Sequence, residues 1–368
     1  MLLLPACMSS CIIGIEFKQD EAGCIQKFMN SIREIGENIK NSPHFKGGLR
    51  YGEELAPHTT MRVGGAAAVF AEPEDALSAA LVIQMTLAAG ARLLVLGGGS
   101  NLVVSDAGYD GVVLSTSRLG GIGHTLGGLV ALDEPELAEH GLFEGRRAVL
   151  HCGAGVSFDS ICAYCAEHGL WGLSFFSGLP GSAGGAAFMN ARCYGKEASD
   201  VLLDAAYINI EEFCINGAFE VDDFQKIYHN EKSDWSYKHS PFMEKYALVT
   251  SVDFSCIAVE SGRVRELIQS KNDFYVQDRK SKGHFSAPSA GSVFKNNRAF
   301  GKPSGQLIDE AGLKGVVHGG AQVAPWHGNF IINQGHATAA DIKELVEIVR
   351  QKVLQKTGFG LETEIIFV

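Results

Sequence analysis

The sequence lacks any concentration of basic residues. Its 368 residues include 31 Lys and Arg residues against 42 Asp and Glu residues, which gives a formal net charge of −11. A protein that neutralises nucleic-acid phosphates presents Lys and Arg together on one face or along one helix. We therefore expect no nucleic-acid partner.

A long hydrophobic run is also missing. The chain begins MLLLPACMSSCIIGIEF, and this apolar stretch is shorter than the ~20 residues that a membrane-spanning helix requires. It also lacks the positively charged first segment of a secretion signal. We expect residues 1–45 to be a peripheral extension or the product of a mis-assigned start. We expect a cytoplasmic protein without a membrane partner.

The cysteines do not have the pattern of a disulfide framework. There are nine, an odd number at irregular spacings, which favours a reducing compartment. The close pair Cys162 and Cys165 shares a predicted helical face with Phe158 and Ile161, and Gly169 is the predicted end of that helix. Small core residues are the favoured interpretation, with redox or metal roles as the alternative. No metal site is predicted.

What the chain does contain is an alternation of strand-like and helix-like segments from about residue 58 onward. Its length and its 46% hydrophobic residues are sufficient for two or three domains. The pattern is typical of an α/β or α+β fold, and no repeat interrupts it. Predicted strands occupy residues 67–70, 92–96, 102–104, 112–114 and 148–152, and predicted helices occupy residues 73–90 and 158–168.

The C-terminal end has clear signals, whereas one internal segment does not. Thr338 and Asp341 have the spacing of a capping box before a helical repeat of apolar residues that ends at Gly358. Residues 361–368 are a predicted strand in which period two places Glu362 and Glu364 on one face. Residues 120–146 lack a sustained period, and we interpret them as an insertion or a mobile excursion.

Two glycine-rich loops are the most unusual segments. The first, Gly-Gly-Gly-Ser-Asn at residues 97–101, directly follows a predicted buried strand. Glycine lets the backbone approach a phosphate closely, but the loop matches neither the dinucleotide-binding pattern nor the P-loop, so an ordinary turn is an equally good interpretation. The second, GLPGSAGGAAFMNARCYGKE at residues 178–197, changes this balance, because two such loops favour an extended anionic cofactor.

Candidate chemical groups lie in the C-terminal half. Ser292 is flanked by small residues in SAGSVFKNN, but a serine hydroxyl transfers a proton only where neighbouring groups support it. Glu364 is a candidate for protonating or stabilising a charged intermediate. Lys238, in the segment Tyr-Lys-His-Ser, is a candidate for binding a substrate carboxylate. The respective structural alternatives are a solvated turn, a solvent-facing strand residue and a plain surface loop.

Seven motifs, in order and spacing, resemble those of the UDP-N-acetylenolpyruvoylglucosamine reductases, the MurB family. The resemblance covers about residues 50–368 apart from residues 120–146, and the compact C-terminal end is similar to the type II branch. The motifs are HTTMRVGG from residue 58, LGGGSNLVVSD from 96, GLPGSAGGAAFMNA from 178, SAGSVFKN from 289, LIDEAGLKG from 307, GGAQV from 319 and LETEI from 361.

The resemblance implies an α+β protein with a split FAD-binding domain of the vanillyl-alcohol-oxidase-like type and a C-terminal α+β substrate-binding domain. Residues 46–258 then hold the cofactor, in subdomains of about 46–116 and 117–258, and residues 259–368 bind the substrate. FAD is held non-covalently, which accounts for both glycine-rich loops. We expect a monomer or a weak oligomer.

The resemblance also carries the family's site residues to matching positions. The implied catalytic residues are Ser292, Glu364 and Lys238, and the implied substrate-binding residues are Tyr237, Lys295 and Asn296. The implied contacts to the FAD pyrophosphate are Gly97, Gly98, Gly99, Ser100 and Asn101. The implied contacts near its reactive ring are Gly178, Gly181, Ser182, Gly185, Asn190 and Tyr194.

The implied reaction is the reduction of UDP-N-acetylenolpyruvoylglucosamine to UDP-N-acetylmuramate, a peptidoglycan precursor that serves cell-wall biogenesis, cell shape and cell division. NADPH reduces the flavin and leaves, and the UDP-sugar substrate then accepts hydride on its methylene carbon. Ser292 protonates the adjacent carbon, while Glu364 steadies the enol-like intermediate.

Two positions depart from the family pattern. Lys238 stands where the family has arginine, and lysine keeps the charge but lacks the planar fork that holds a carboxylate. Arg192 stands where the family usually has glycine, which is unfavourable if the backbone there needs a positive φ.

These departures leave two alternatives open. One is a degenerate homologue that binds FAD or a sugar nucleotide with weak or no turnover. The other is an oxidase or dehydrogenase of the wider flavoprotein superfamily, because a shared cofactor fold does not determine the substrate. The presence of Ser292 and Glu364 argues against the second alternative.

Overall fold

The structure, a computed structural model, describes residues 25–211 and 224–368. The apolar beginning of the chain, which we interpret as part of a peripheral extension, lies outside the described residues. Within the described ranges, no helix is long and apolar enough to cross a membrane. The described residues form three packed units, each with a sheet of four or more strands at its centre.

The first unit is a four-stranded sheet with two helices. The strands, in their order across the sheet, are Gly47–Glu54 (β1), Ala66–Pro73 (β2), Tyr109–Ser115 (β5) and Leu93–Leu96 (β3). β1 runs antiparallel to β2, whereas β5 lies parallel to both β2 and β3. The helices are Ile25–Asn41 (α1) and Ala76–Ala88 (α2).

Local signals explain where these elements begin. Asp75 caps α2 by accepting a hydrogen bond from the Ser78 backbone N–H at 2.8 Å, so the helix starts just after the predicted position. The strands and the helix predicted in this unit are confirmed within a few residues. Ile35 and Ile39 of α1 are buried in one cluster with α2 and the sheet, so this part of residues 1–45 is built into the unit.

The second unit is an antiparallel sheet flanked by helices. Its sheet order is β12-β11-β13-β7-β6, with β8 beside β13. The strands are Ile122–Ala131 (β6), Glu144–Gly153 (β7), Leu170–Trp171 (β8), Leu202–Asn209 (β11), Lys226–His229 (β12) and Ala247–Ala258 (β13), with a separate hairpin of Arg192–Cys193 (β9) and Lys196–Glu197 (β10). The helices are Pro135–Ala138 (α3), Phe158–His168 (α4), Ala183–Met189 (α5), Pro241–Glu244 (α6) and Gly262–Ser281 (α7).

Residues 120–146, interpreted from the sequence as an insertion or a mobile excursion, contain regular secondary structure. β6 pairs with β7 along most of its length and forms the edge of the sheet. The strand is largely exposed, for example at Leu129, and only a half-buried strand needs alternating polar and apolar residues. The glycines and the weak hydrophobic pattern of this segment therefore concealed a regular hairpin.

The helix predicted at residues 158–168 is confirmed as α4. Gly169 ends it in the left-handed region, with φ 68°. Cys162 and Cys165 are free and buried in the core of the second unit, and burial raises the pKa of the Cys162 thiol to about 12. These cysteines are core residues, which agrees with the interpretation favoured from the sequence.

The third unit is a small antiparallel sheet in the order β14-β17-β16-β15, packed against a long helix. Thr338 and Asp341 form the predicted capping box of that helix, which ends at Gly358 with φ 75°. The strands are Ser289–Ser292 (β14), Val317–His318 (β15), Ala321–Val323 (β16) and Phe330–Asn333 (β17), and the helices are Ser304–Glu310 (α8) and Ala339–Thr357 (α9).

The C-terminal segment returns to the first unit. Only Ile366–Phe367 (β18) within the predicted strand at residues 361–368 pairs continuously, and it lies parallel to Leu102–Val103 (β4), directly after the first glycine-rich loop. Nearer its start, Thr363 forms an isolated bridge with Phe294 of the third unit. The predicted strand is therefore too long, because the segment divides its hydrogen bonds between two units.

The packing of α1 predicts that this helix stabilises the first unit. Ile39→Ala should destabilise the protein by about 2–5 kcal/mol, because it leaves a cavity beneath a fully buried side chain. Asn38→Ala, at an exposed position of the same helix, is the matched control and should have little effect. The shift of the denaturant midpoint measures both variants, and equal midpoints would contradict the prediction.

Candidate functional site

A cavity of about 1550 Å³ lies where the three units meet. Both glycine-rich loops, strand β14 and the C-terminal segment form parts of its wall. The expected site residues that line it are Gly97, Gly98, Gly99, Ser100, Asn101, Gly178, Gly181, Ser182, Gly185, Tyr194, Lys238, Ser292 and Glu364. The structure thus brings most of the expected site residues to one place.

The two glycine-rich loops touch through their backbones. A Cβ atom added to Gly98 would lie 2.6 Å from the Cα atom of Gly181, so the contact tolerates no side chain. At the next position, Gly99 has φ 61°, and an added Cβ atom would lie 2.0 Å from the carbonyl oxygen of His58. Glycine is therefore required here by close approach as well as by conformation.

Ser182 has a structural hydrogen bond within the second loop. It precedes α5, and its hydroxyl oxygen accepts a hydrogen bond from the Gly185 backbone N–H at 3.4 Å. The side chain still lines the cavity. Serine at this position both begins the helix and presents a hydroxyl to the cavity.

Asn101 connects the first loop to the C-terminal segment. Its side-chain amide donates to the carbonyl oxygen of Glu364 at 3.0 Å, and its own carbonyl accepts from the Ile366 N–H at 2.9 Å. Because both bonds hold the backbone beside Glu364, they determine where that carboxylate enters the cavity.

Glu364 forms an ion pair with Lys238. The Lys238 Nζ lies 2.7 Å from Oε1 of Glu364, and the two side chains are only 15% and 9% exposed. Lys238 has φ 58°, in a turn that the backbones of Ser236 and His239 close by mutual hydrogen bonds. The ammonium and the carboxylate thus lie together in a part of the cavity that is shielded from solvent.

A bulge presents Ser292 to the cavity. Between Ser289 and Ser292, β14 gains one residue relative to β17, and Gly291 has φ 74° there. Such a bulge breaks the normal alternation and redirects the following side chain. The Glu364 backbone N–H donates to the carbonyl oxygen of Val293 at 2.7 Å, so the backbones that carry Ser292 and Glu364 are adjacent.

Glu362 and Glu364 do not share an environment, in contrast to the expectation from period two. The Glu362 side chain is 72% exposed and is paired with Lys295, whereas Glu364 is paired with Lys238 inside the cavity. The irregular backbone at residues 361–365 removes the strict alternation on which the expectation rested.

The expected substrate-binding residues lie beside the cavity rather than in its wall. The Tyr237 hydroxyl accepts a hydrogen bond from the Asn296 backbone N–H at 3.4 Å, which places the tyrosine against the segment that also contains Lys295. The Asn296 side-chain oxygen accepts from the Ser304 N–H at 2.9 Å. These residues form a group next to the ion pair of Lys238.

Asn190 lies behind the cavity wall and is fully buried. Its amide donates to Glu197 at 3.1 Å and to the carbonyl oxygen of Ser236 at 3.0 Å, so it holds the turn that carries Lys238. Sequence reasoning placed this residue at the cofactor, whereas its observed contacts are to protein groups.

The concern about Arg192 is not supported by the backbone. Arg192 lies in strand β9, and the non-glycine residues with positive φ in this segment are instead Asn190, with 43°, and Tyr194, with 49°. The arginine lines the cavity, and its guanidinium lies 5.9 Å from the centre of the Tyr237 ring. A side chain at this position is therefore accommodated without strain of the backbone.

Tyr194 lines the cavity and has a fixed hydroxyl. It donates to Asp278 at 2.7 Å, and burial together with this acceptor raises the pKa of Tyr194 to about 12. The phenol therefore stays protonated at neutral pH and serves as a hydrogen-bond donor rather than as an acid.

Several lining residues were not found from the sequence. Arg279 lies in the last turn of α7, and the basic residues between 279 and 282 are the signal that was available for it. His284 and His327 are half-buried, and burial is the main cause that lowers the pKa of each, to about 4 for His284. The missed residues are Arg62, Arg279, Lys282, His284, Trp326 and His327. Among the described residues, no His, Cys, Asp and Glu group has the arrangement of a metal site.

Comparison with protein families assigns the two halves of the cavity. Residues 67–209 match an FAD binding domain. Residues 283–368 match the C-terminal domain of UDP-N-acetylenolpyruvoylglucosamine reductase. The first match contains both glycine-rich loops, and the second contains Ser292 and Glu364.

Whole proteins give the same result. The chain is 42% identical to UDP-N-acetylenolpyruvoylglucosamine reductase of Treponema denticola, over 92% of this chain and 98% of that protein. It is 39% identical to the reductase of Treponema pallidum, over 85% and 91%. The crystal structure of the reductase from Thermus caldophilus has a TM-score of 0.63 at 28% identity and covers 88% of this chain and 99% of that one. The chain belongs to the UDP-N-acetylenolpyruvoylglucosamine reductase (MurB) family.

Proposed function

We propose that the protein reduces UDP-N-acetylenolpyruvoylglucosamine to UDP-N-acetylmuramate, with FAD as cofactor and NADPH as electron donor, in the synthesis of peptidoglycan precursors. The observation that carries this proposal is that Ser292 and the ion pair of Lys238 and Glu364 line the same cavity as the two glycine-rich loops. A proton donor, a charge-stabilising pair and a phosphate cradle are thus combined in one site.

The cavity fits FAD. The bare backbone of Gly97–Gly99 meets the backbone at Gly181 without side chains, which leaves N–H groups free to approach a pyrophosphate. We propose that this loop, with Ser100, holds the pyrophosphate and that Gly178, Gly181, Gly185 and Tyr194 lie nearer the ring. When bound, FAD supplies hydride transfer between NADPH and the substrate.

The chain's own groups have three proposed roles. Ser292 donates a proton to the carbon next to the one that accepts hydride, because it lines the cavity and its backbone is adjacent to that of Glu364. Glu364 stabilises the enol-like species, and the ion pair with Lys238 fixes this carboxylate in a site that excludes most water. Lys238 also has N–H donors left for a substrate carboxylate.

The nucleotide part of the substrate has a proposed location as well. Tyr237, Lys295 and Asn296 adjoin the cavity near Lys238, and we propose that they contact the substrate there. Asn190 acts indirectly, because its hydrogen bond to the carbonyl oxygen of Ser236 holds the turn that carries Lys238.

We further propose that the domains are residues 46–258, for the cofactor, and 259–368, for the substrate. Helix α7 then starts the second domain but packs back on α4 of the first. A cytoplasmic monomer or weak oligomer is the proposed state of the protein.

The first test is NADPH oxidation by FAD-loaded protein with and without UDP-N-acetylenolpyruvoylglucosamine. Oxidation that requires the sugar nucleotide supports the reductase. Bound FAD without turnover would instead favour a degenerate homologue that only binds its ligands. This is the second candidate function, because Lys238 stands in place of the family arginine. Oxygen consumption with another donor would indicate an oxidase.

Ser292→Ala should separate the two half-reactions. Flavin reduction by NADPH should stay nearly unchanged, while reoxidation by the enolpyruvyl substrate slows roughly 10²- to 10⁴-fold, the usual contribution of a positioned proton donor. Stopped-flow absorbance measures both rates, and the reductive half-reaction is the internal control. Equal slowing of both halves would contradict the role of Ser292.

Lys238→Met should lower kcat/KM by roughly 10- to 100-fold, because it removes a charged hydrogen-bond donor from Glu364 and from the substrate. Lys238→Arg is the matched variant, since it keeps the charge at the same left-handed backbone position and adds the planar fork. It should retain or exceed the activity of lysine. Steady-state kinetics with UDP-sugar as the varied substrate decide between these outcomes, and unchanged activity of the methionine variant would exclude the role.

Gly98→Ala should weaken FAD binding by about 1–3 kcal/mol, because the added methyl group overlaps the Gly181 backbone and separates the two loops. Gly123→Ala places the same group in open space outside the cavity and is the control. Titration of apoprotein with FAD measures both. Similar affinities of the two variants would mean that the contact between the loops does not form the cradle.

A further inference from the structure

Arg279 is a buried cation in the cavity wall. It lies in the last turn of α7 and is only 5% exposed. Its Nε donates to the carbonyl oxygen of Ser177 at 3.0 Å, and its guanidinium lies 5.1 Å from the centre of the Tyr194 ring. These contacts fix one side of the guanidinium and direct it toward the second glycine-rich loop.

The guanidinium has no carboxylate partner in the described part of the chain, and its further side-chain contact is with the Cys193 thiol. Nη2 of Arg279 is buried without a hydrogen-bond partner, and no carboxylate among the described residues lies within salt-bridge distance of the group. The adjacent Asp278 already accepts from Tyr194 at 2.7 Å and from Lys282 at 2.6 Å. A buried charge with an unused donor costs free energy that a bound anion would recover.

The surroundings of Arg279 favour an anion. Lys282 lines the same part of the cavity, and His284 beside it has its pKa lowered to about 4, mainly by burial and next by the charge of Arg279. The imidazole is therefore neutral at pH 7, and Asp278 is the acidic group whose charge acts on it. The backbone of Gly178 packs against Arg279, where an added Cβ atom would lie 3.1 Å from the arginine Cδ.

We propose that Arg279 is a nucleotide-binding residue whose guanidinium donates to a phosphate oxygen of a nucleotide in the cavity. A guanidinium presents several N–H groups in one plane and matches phosphate oxygens better than an ammonium does. The inference rests on the proposed function, which supplies two nucleotides with this chemistry, FAD and NADPH. It adds a ligand contact from α7, an element outside both glycine-rich loops.

The test compares apoproteins of wild type, Arg279→Gln, Arg279→Lys and Arg265→Gln. Arg265 is exposed on the same helix, so its variant removes the same charge away from the cavity. FAD titration and thermal unfolding with and without FAD are measured for each protein. Arg279→Gln should weaken FAD binding roughly 10- to 100-fold and reduce the thermal shift that FAD produces, with Arg279→Lys intermediate and Arg265→Gln like wild type.

A second arm identifies the nucleotide. If FAD affinity is unchanged but the NADPH concentration for half-maximal flavin reduction rises roughly 10- to 100-fold, the phosphate belongs to the electron donor. If neither changes and only the apoprotein melts at lower temperature, Arg279 is a structural residue and the inference is overturned. Wild-type turnover in the same preparations tests the reductase function separately, because FAD binding is measured without it.

Discussion

The attachment of the C-terminal segment to the first glycine-rich loop is the contact on which the site depends. Strand β18 pairs with β4, and the Asn101 side chain holds the carbonyl oxygen of Glu364. The N–H of the same glutamate donates to Val293, next to Ser292. Glu364 is therefore bound on one side to the first glycine-rich loop and on the other to the strand that carries Ser292. Backbone pairing, rather than long side chains, sets the distance between these parts, and such positioning is what a reacting site requires.

The two ends of the cavity have different charge balances. Lys238 and Glu364 compensate each other, so this end carries no unpaired buried charge before a ligand arrives. The end near Arg279 has an unused donor and a histidine whose pKa is lowered, so it is balanced only when an anion is present. The first end is suited to chemistry in which charge develops transiently, and the second to a ligand with permanent charge. The proposed reaction supplies both, since it combines a reacting enolpyruvyl group with nucleotides that carry phosphates.

Much of this arrangement was predictable because the signals are local. Glycine runs, the capping box of α9 and the helical period of α4 depend on neighbours within a few residues. The hairpin of β6 and β7 was missed because an exposed edge strand carries no hydrophobic alternation. The sequence does not show which distant segment supplies a hydrogen-bond or ion-pair partner. The different environments of Glu362 and Glu364, and the contacts of Asn190 behind the cavity wall, depend on such partners. Arg279 was missed for the same reason, since only the folded chain shows that its guanidinium is buried without a carboxylate partner among the described residues.

The lysine at position 238 shows how the backbone compensates for a changed side chain. Its φ of 58° is unfavourable for a residue other than glycine and persists only where the surroundings hold it. Asn190 does so through the carbonyl oxygen of Ser236, and Glu364 does so through the ion pair. Because the turn fixes the origin of the side chain, a long cation of either type reaches the carboxylate. The Nζ group donates one N–H to Glu364 and has two more for another acceptor. Unlike the N–H groups of a guanidinium, these are not held in one plane. Lysine at this position therefore places a positive charge 2.7 Å from Glu364, without the planar fork of an arginine.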